Sequence, residues 1–198
     1  MPATVLSISD ARLTSMLTQG GVGVLPTDTI YGVVARAADE RAVGRLYAIK
    51  HREQKPGTVI AANAQQLIDL GVPSENIDAV SHLWPNPISV DLLVGEDLHY
   101  LSQGTGHCAF RLVATPALHE LLMQTGPLLT SSANHPGGTP ALNIEQAQHY
   151  FGDAVDFYVD GGDQRGLPST VARYRDGTFE TRRSGPVAID EQGRILPS

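Results

Sequence analysis

The sequence has 198 residues, 41% of them hydrophobic and 18% charged, which supplies enough apolar surface for one folded domain and is unlike a disordered chain. Its formal net charge of -7 argues against a protein whose main task is holding nucleic acid by counterion release. The single cysteine, Cys108, excludes an intrachain disulfide and lacks the partners of a cysteine zinc site, so it reads as a small buried hydrophobe.

From Met1 to Asp10 there is neither a basic n-region nor an apolar h-region, and no apolar run is long enough to span a bilayer, so a cytoplasmic protein with no membrane partner is expected. Leu13, Met16 and Leu17 predict a first helix with Ser9 or Asp10 as N-cap. Val22 to Leu25 reads as a buried strand ending at Pro26, and Tyr31 to Ala35 as a second, with Thr27-Asp28-Thr29 between them. Ala42, Val43, Leu46, Tyr47 and Ile49 share a helical face, so a helix from about Glu40 delivers Lys50 and Arg52 at and just past its end. Thr58 to Ala62 predicts a strand, Gln65 to Leu70 and Ser74 to Trp84 two helices, and Ile88 to Val94 another strand.

Cys108, Phe110 and Leu112 alternate with Ala109, Arg111 and Val113, so Arg111 points away from the face that carries Phe110. Leu118, Leu121 and Leu122 mark a helix, Pro127 to Leu129 a short apolar strand, and Ile144 to Tyr150 a further helix. Val155 to Val159, Thr170 to Tyr174 and Thr178 to Arg182 complete a strand-rich end, broken by Gly161-Gly162 and Asp176-Gly177 turns. Helices and strands intermingle without strict βαβ alternation, and there is no repeat or linker. The expected fold is therefore α/β, an open twisted mixed sheet flanked by helices, in one domain over 1–198.

Spacing dismisses several common sites. The chain has no Walker-type phosphate loop, and Gly20, Gly21 and Gly23 have the wrong register for a dinucleotide fingerprint. The seven histidines include no i,i+4 pair, and no serine sits in a nucleophile elbow, so neither a protein-ligated metal nor a serine hydrolase is expected. Four polar constellations remain, each at the end of a predicted element, where open α/β sheets bind ligands. Leu25 to Gly32 offers hydroxyls, a carboxylate and a glycine, and is equally readable as an ordinary turn. Lys50, Arg52 and Lys55 suit a triphosphate, against a solvated cationic helix end. Thr130 to Asn134 offers uncharged hydrogen-bonding groups, and Gly166 to Val171 with Arg182 to Gly185 forms the fourth; each alone is only a turn signal.

Their order carries more than any one of them. P-T-[DE]-T-x-Y-G at Pro26 to Gly32, K-x-R…K-P at Lys50 to Pro56, W-P-x-P at Trp84 to Pro87 and A-x-R at Ala109 to Arg111 are followed by S-A-N at Ser132 to Asn134, S-T-V at Ser169 to Val171 and R-x-G at Arg183 to Gly185. In sequence and spacing, from roughly residue 9 to 187, this series resembles the YrdC family of threonylcarbamoyl-AMP synthases. The resemblance implies an enzyme that combines L-threonine, bicarbonate and ATP into threonylcarbamoyl-AMP and pyrophosphate, towards threonylcarbamoyladenosine in tRNA.

It further implies that Lys50, Arg52 and Lys55 hold the phosphates, with Mg²⁺ bound mainly by ATP and water. Lys50 and Arg52 are then the catalytic cations. Ser132, Asn134 and Arg183 would contact the nucleotide, and Thr27, Tyr31, Arg111 and Ser169 the threonine and bicarbonate side, Tyr31 being equally readable as a core aromatic. No general base is singled out. Contact with tRNA-modifying proteins would be transient and direct RNA binding weak or absent. The alternatives are a relative with another carbamoyl or nucleotide reaction, an RNA-binding module and a scaffold.

Several positions depart from the family pattern. The Lys50 to Pro56 stretch is one residue shorter, Ile60 stands where some members have a ligand-facing histidine, Asp91 interrupts an apolar strand, and His107 replaces a small hydroxyl residue. The second C-terminal domain of longer members is not expected. Arg111, in an apolar strand, needs an anion. An internal Asp or Glu would make it a core ion pair; the resemblance instead supplies threonine's carboxylate or the carbamate, with water and small anions in the empty cleft.

Overall fold

The computed structural model describes residues 3–51 and 54–197. Its strands are β1 (Thr4–Leu6), β2 (Gly23–Pro26), β3 (Tyr31–Arg36), β4 (Thr58–Ala61), β5 (Ile88–Leu93), β6 (His107–Leu112), β7 (Leu128–Ser132), β8 (Phe157–Val159), β9 (Thr170–Arg175) and β10 (Thr178–Arg183). They form one open sheet in the order β1-β8-β2-β3-β7-β4-β6-β5-β9-β10. The sheet is mixed: β1 and β2 pair with β8, β4 with β6 and β5 with β9 in parallel, and the other pairings are antiparallel. Helices α1 (Ala11–Thr18), α2 (Glu40–Ile49), α3 (Ala64–Leu70), α4 (Ser74–Val80), α5 (His99–Ser102), α6 (Pro116–Thr125) and α7 (Ile144–Phe151) flank it. This is the mixed, helix-flanked sheet that the alternating patterns predict.

The caps explain where the best-patterned helices start. Asp10 accepts a hydrogen bond from the Arg12 amide and opens α1, which buries Leu13 and Leu17. Asp39 does the same for the Ala42 amide, and α2 buries Ala42, Val43, Leu46 and Tyr47 before ending at Lys50. Four elements differ from expectation. The helix expected to reach Trp84 stops at Val80 and tightens into a 3₁₀ turn over Ser81–Leu83, because Trp84 precedes Pro85 and is held extended. The strand expected to end at Leu129 runs on to Ser132, since its Thr130 and Ser132 backbone pairs with β3 and β4. Short β1 and α5 have no counterpart in the sequence pattern.

Alternation along the strands sends neighbouring residues to opposite faces. On one face Val33, Val59, Val90 and Phe110 pack with Leu46, Leu67, Ile77 and Phe151 in the larger core. On the other, Val34, Ile60 and Leu128 pack with Leu13 and Leu17 of α1 and Leu118, Leu121 and Leu122 of α6. Helices α1 and α6 cover only part of that second face. Stepping two residues from Val34, Ile60 and Leu128 reaches Gly32, Thr58 and Thr130, and Arg111 lies opposite Ile60 on the neighbouring strand. This uncovered stretch is polar. Ile60, by contrast, is fully buried in the smaller core, which explains why an apolar residue stands there.

Cys108 is fully buried, and burial pushes its thiol up to about 12. A thiol reagent at neutral pH should therefore fail to label the native protein and label it stoichiometrically once urea has unfolded it. Rapid native labelling would contradict this placement. Among the described residues no helix is long and apolar enough to cross a membrane.

Candidate functional site

The uncovered face holds a cleft of about 230 Å³, lined among others by Thr27, Tyr31, Thr58, Arg111, Ser169 and Arg183. Its wall begins at the turn between β2 and β3. Thr27 Oγ1 donates to the Ile30 carbonyl at 2.7 Å and accepts from the Thr29 and Ile30 amides at 3.3 Å, closing the turn through a side chain. Gly32 follows where β3 passes β7, and a Cβ there would lie 2.3 Å from Thr130 Oγ1. Only glycine allows that approach.

Tyr31 is fully buried, and its hydroxyl accepts from the Gly161 amide and donates to the Gly162 carbonyl, both at 2.9 Å. Burial raises its pKa. Tyr31 alternates with Gly32, so its ring packs in the larger core on the opposite face and its hydroxyl ties down the loop after β8; of the two readings offered by the sequence, the core aromatic is the one its side chain follows. That loop leads to Ser169, whose carbonyl accepts from Arg183 Nε at 3.1 Å and Nη2 at 2.9 Å. Just beyond, Gly185 passes so close that a Cβ would meet the Thr170 amide nitrogen at 2.3 Å, which accounts for the glycine of the R-x-G segment.

Arg111 corrects the expectation of a guanidinium waiting for a ligand with only water and small anions beside it. Its Nε and Nη2 donate to Asp28 Oδ2 at 3.0 Å and Oδ1 at 2.7 Å, and its Nη1 donates to Ser89 Oγ at 2.7 Å. The side chains of Arg111 and Asp28 are only 3% and 11% exposed. Burying that cation requires an anion, and the turn built on Thr27 supplies one from within the chain. Ser89 Oγ in turn lies 2.9 Å from Ser169 Oγ. A continuous polar chain therefore runs from Asp28 through Arg111, Ser89 and Ser169 to Arg183. Asp28, which the sequence offered as the carboxylate of this turn without giving it a role, and Ser89, which it did not single out, complete the chain; for Ser89 the available signal was an interior polar residue in an apolar strand.

A second cavity, of about 420 Å³, adjoins the first through Ser132 and is lined by Lys50, His51, Lys55, Asn134 and His135 among others. Lys50 is 4% exposed at the C-cap of α2. Its ammonium donates to the Ser132 carbonyl at 2.7 Å and to the Asn134 carbonyl, and lies 5.5 Å from the centre of the Phe151 ring. Ser132 Oγ donates to Asn134 Oδ1 at 2.6 Å, and Asn134 Nδ2 donates to the Gly138 carbonyl at 2.6 Å. Lys50 thus braces the Ser132–Asn134 turn as well as lining the cavity.

The expected residues divide between the two cavities. Thr27, Tyr31, Arg111 and Ser169 meet in the first, Lys50, Lys55 and Asn134 in the second, and Ser132 borders both. Arg183, grouped by the resemblance with the nucleotide residues, stands in the first beside Ser169. Arg52 lies outside the described residues. Asp91 faces Arg173 on the adjacent parallel strand and accepts from its Nε at 2.8 Å, so the acid that interrupts β5 has a cross-strand cation. His107 Nδ1 lies 3.8 Å from the other Asp91 oxygen. Among the described residues no group of three or more His, Cys, Asp or Glu could hold a metal ion.

Known proteins share both the sequence and the architecture. The Sua5/YciO/YrdC family model, described as "Telomere recombination", matches residues 15–185. A threonylcarbamoyl-AMP synthase of Pseudoalteromonas translucida is 30% identical over 177 residues, covering 84% of this chain and 94% of that protein. The crystal structure of P. abyssi Sua5 complexed with L-threonine superposes with a TM-score of 0.79 at 26% identity, over 89% of this chain. This chain spans 54% of the length of that Sua5 chain. E. coli YciO has the same fold, with a TM-score of 0.77 at 22% identity over 93% of this chain and 94% of its own. With a match that takes in every motif from the β2–β3 turn to Gly185, the chain belongs to the Sua5/YciO/YrdC family.

Proposed function

We propose that this chain is an L-threonylcarbamoyladenylate synthase, condensing L-threonine, bicarbonate and ATP to threonylcarbamoyl-AMP and pyrophosphate for tRNA modification. The observation that carries the reading is the pair of adjoining cavities, one presenting a guanidinium and hydroxyls and the other two lysines, with Ser132 at their junction. An amino acid and a nucleotide bound in these two places meet near Ser132.

Threonine occupies the first cavity, its carboxylate on Arg111 and its remaining polar groups among Thr27, Ser169 and the wall formed by Tyr31. The triphosphate occupies the second, held by Lys50, Lys55 and Arg52, with Asn134 and Ser132 on the nucleotide and Arg183 approaching from the Ser169 side. Bicarbonate gives up carbon dioxide, which threonine's amine captures as a carbamate, the hydroxide lost from bicarbonate and the proton lost from nitrogen leaving together as water; a carbamate oxygen then attacks the α-phosphorus as pyrophosphate leaves. Positioning the two substrates and offsetting charge on the leaving pyrophosphate are the protein's contributions, with Lys50 and Arg52 as its catalytic cations. Among the described residues, neither cavity is lined by a carboxylate. That donor set suits Mg²⁺ carried by ATP oxygens and water, where it would neutralise phosphate charge.

The same reading places the activity in the cytoplasm, in one domain, with transient contacts to downstream tRNA-modifying proteins and weak or no direct binding of RNA, which the net charge of -7 opposes. A pyrophosphate-release assay tests it. Release should require ATP, threonine and bicarbonate together and fall sharply when any one is omitted. Release that is indifferent to threonine would point to another nucleotide reaction, and tight RNA binding at physiological salt without release would favour an RNA-binding module.

A further inference from the structure

A guanidinium carries five N–H donors, and in Arg111 three of them go to Asp28 and Ser89. One N–H remains on each terminal nitrogen. Two such groups side by side are what a carboxylate accepts as a fork. Arg111 lines the cleft and Asp28 does not, so the anion stands behind the guanidinium as seen from the cavity. Asp28 is itself held by the turn that Thr27 Oγ1 closes onto the Ile30 carbonyl.

We propose that Asp28 is the positioning residue for the substrate carboxylate, gripping Arg111 by its Nε edge so that the two remaining N–H groups face the cleft. This rests on the proposed threonine reading. A long side chain free to rotate would lose conformational entropy on meeting each substrate; one already fixed by Asp28 and Ser89 does not. The pair is formally neutral, so at Arg111 the ligand is selected by the geometry of two parallel acceptors more than by net charge, with Arg183 as the other cation that lines the cleft. The spacing of the motif follows from this: threonine closes the turn, aspartate grips the arginine, and the next threonine and glycine form the wall.

The test uses the full chain with Asp28→Asn and Asp28→Glu, measuring pyrophosphate release against threonine and ATP separately, with melting curves beside them. Asp28→Asn should raise the KM for threonine by about tenfold or more while the KM for ATP stays within about twofold, and Asp28→Glu should recover part of the loss. An unchanged threonine KM would make Asp28 purely structural. A lower one would show that it competes with substrate for Arg111. If neither variant folds, the Nε–H resonance of Arg111 in ¹⁵N-arginine-labelled wild type decides, assigned by its loss in Arg111→Lys. Positioning leaves that signal nearly unmoved on adding threonine with ATP, whereas displacement of Asp28 shifts it strongly. A wild-type protein without threonine-dependent release defeats the proposed function and this inference with it; an active wild type with indifferent Asp28 variants defeats only the inference.

Discussion

Arg111→Ala should lower the melting temperature of the ligand-free protein and abolish its use of threonine. Removing the guanidinium leaves the Asp28 carboxylate, 11% exposed, without its cation. Breaking a pair this buried costs about 3 kcal/mol, the lower end of the range because the cleft lets water approach. For a chain of 198 residues that is a fall of roughly 6–12 °C. A guanidinium whose only partners were ligand and solvent would have left the ligand-free melt unchanged. The two effects separate in the double variant Asp28→Ala with Arg111→Ala, where neither charge is left alone. Its melting temperature should recover several degrees relative to Arg111→Ala, while threonine use stays lost. A double variant no more stable than the single one would show that the pair is not what holds this part of the fold.

Lys50→Ala has the second large effect, again on both stability and activity. The ammonium satisfies the Ser132 and Asn134 carbonyls and sits over Phe151, so truncation strips the donor from a turn bordering both cavities. The Ser132 carbonyl keeps the Asn134 amide at 2.9 Å, whereas the Asn134 carbonyl loses its donor at a cost of about 1–3 kcal/mol, and the lost contact with the ring adds about 1 kcal/mol. Partial rescue by water keeps the expected total near 3 kcal/mol. Lys50→Met, which keeps the aliphatic stem, should regain part of the stability and none of the activity. For both variants kcat/KM for ATP should fall more than tenfold, at least about 1.4 kcal/mol. A variant that melts like wild type and keeps wild-type ATP kinetics would remove Lys50 from the site and from the turn.

Features governed by residues close together in the chain were legible beforehand. Asp10 was one of two N-cap candidates for α1 and does cap it, and the apolar spacing of Ala42 to Ile49 correctly put Lys50 at a helix end. What escaped was set by partners distant in sequence. Asp28 and Arg111 are 83 positions apart, and Lys50 and Asn134 are 84 apart, so nothing local distinguishes a cation bound to the protein from one awaiting a ligand. Strand β7 was cut short because Thr130 and Ser132 interrupt its apolar run, although their backbone keeps pairing and their side chains line the cleft. Three-residue β1 offers too few positions to establish a period. Ser89 was passed over in favour of Asp91, the more conspicuous polar residue of β5, whose cation turned out to be Arg173.

The central claim, that this chain joins threonine, bicarbonate and ATP into one adenylate, is tested most directly by isolating the product. Protein incubated with ATP, L-threonine and ¹³C-bicarbonate, quenched and analysed by mass spectrometry, should yield an adenylate heavier by one mass unit than that made from unlabelled bicarbonate. The same species made from ¹³C,¹⁵N-threonine should carry every heavy atom of the amino acid. An adenylate without the bicarbonate carbon, or hydrolysis of ATP with no threonine-containing product, would contradict the account.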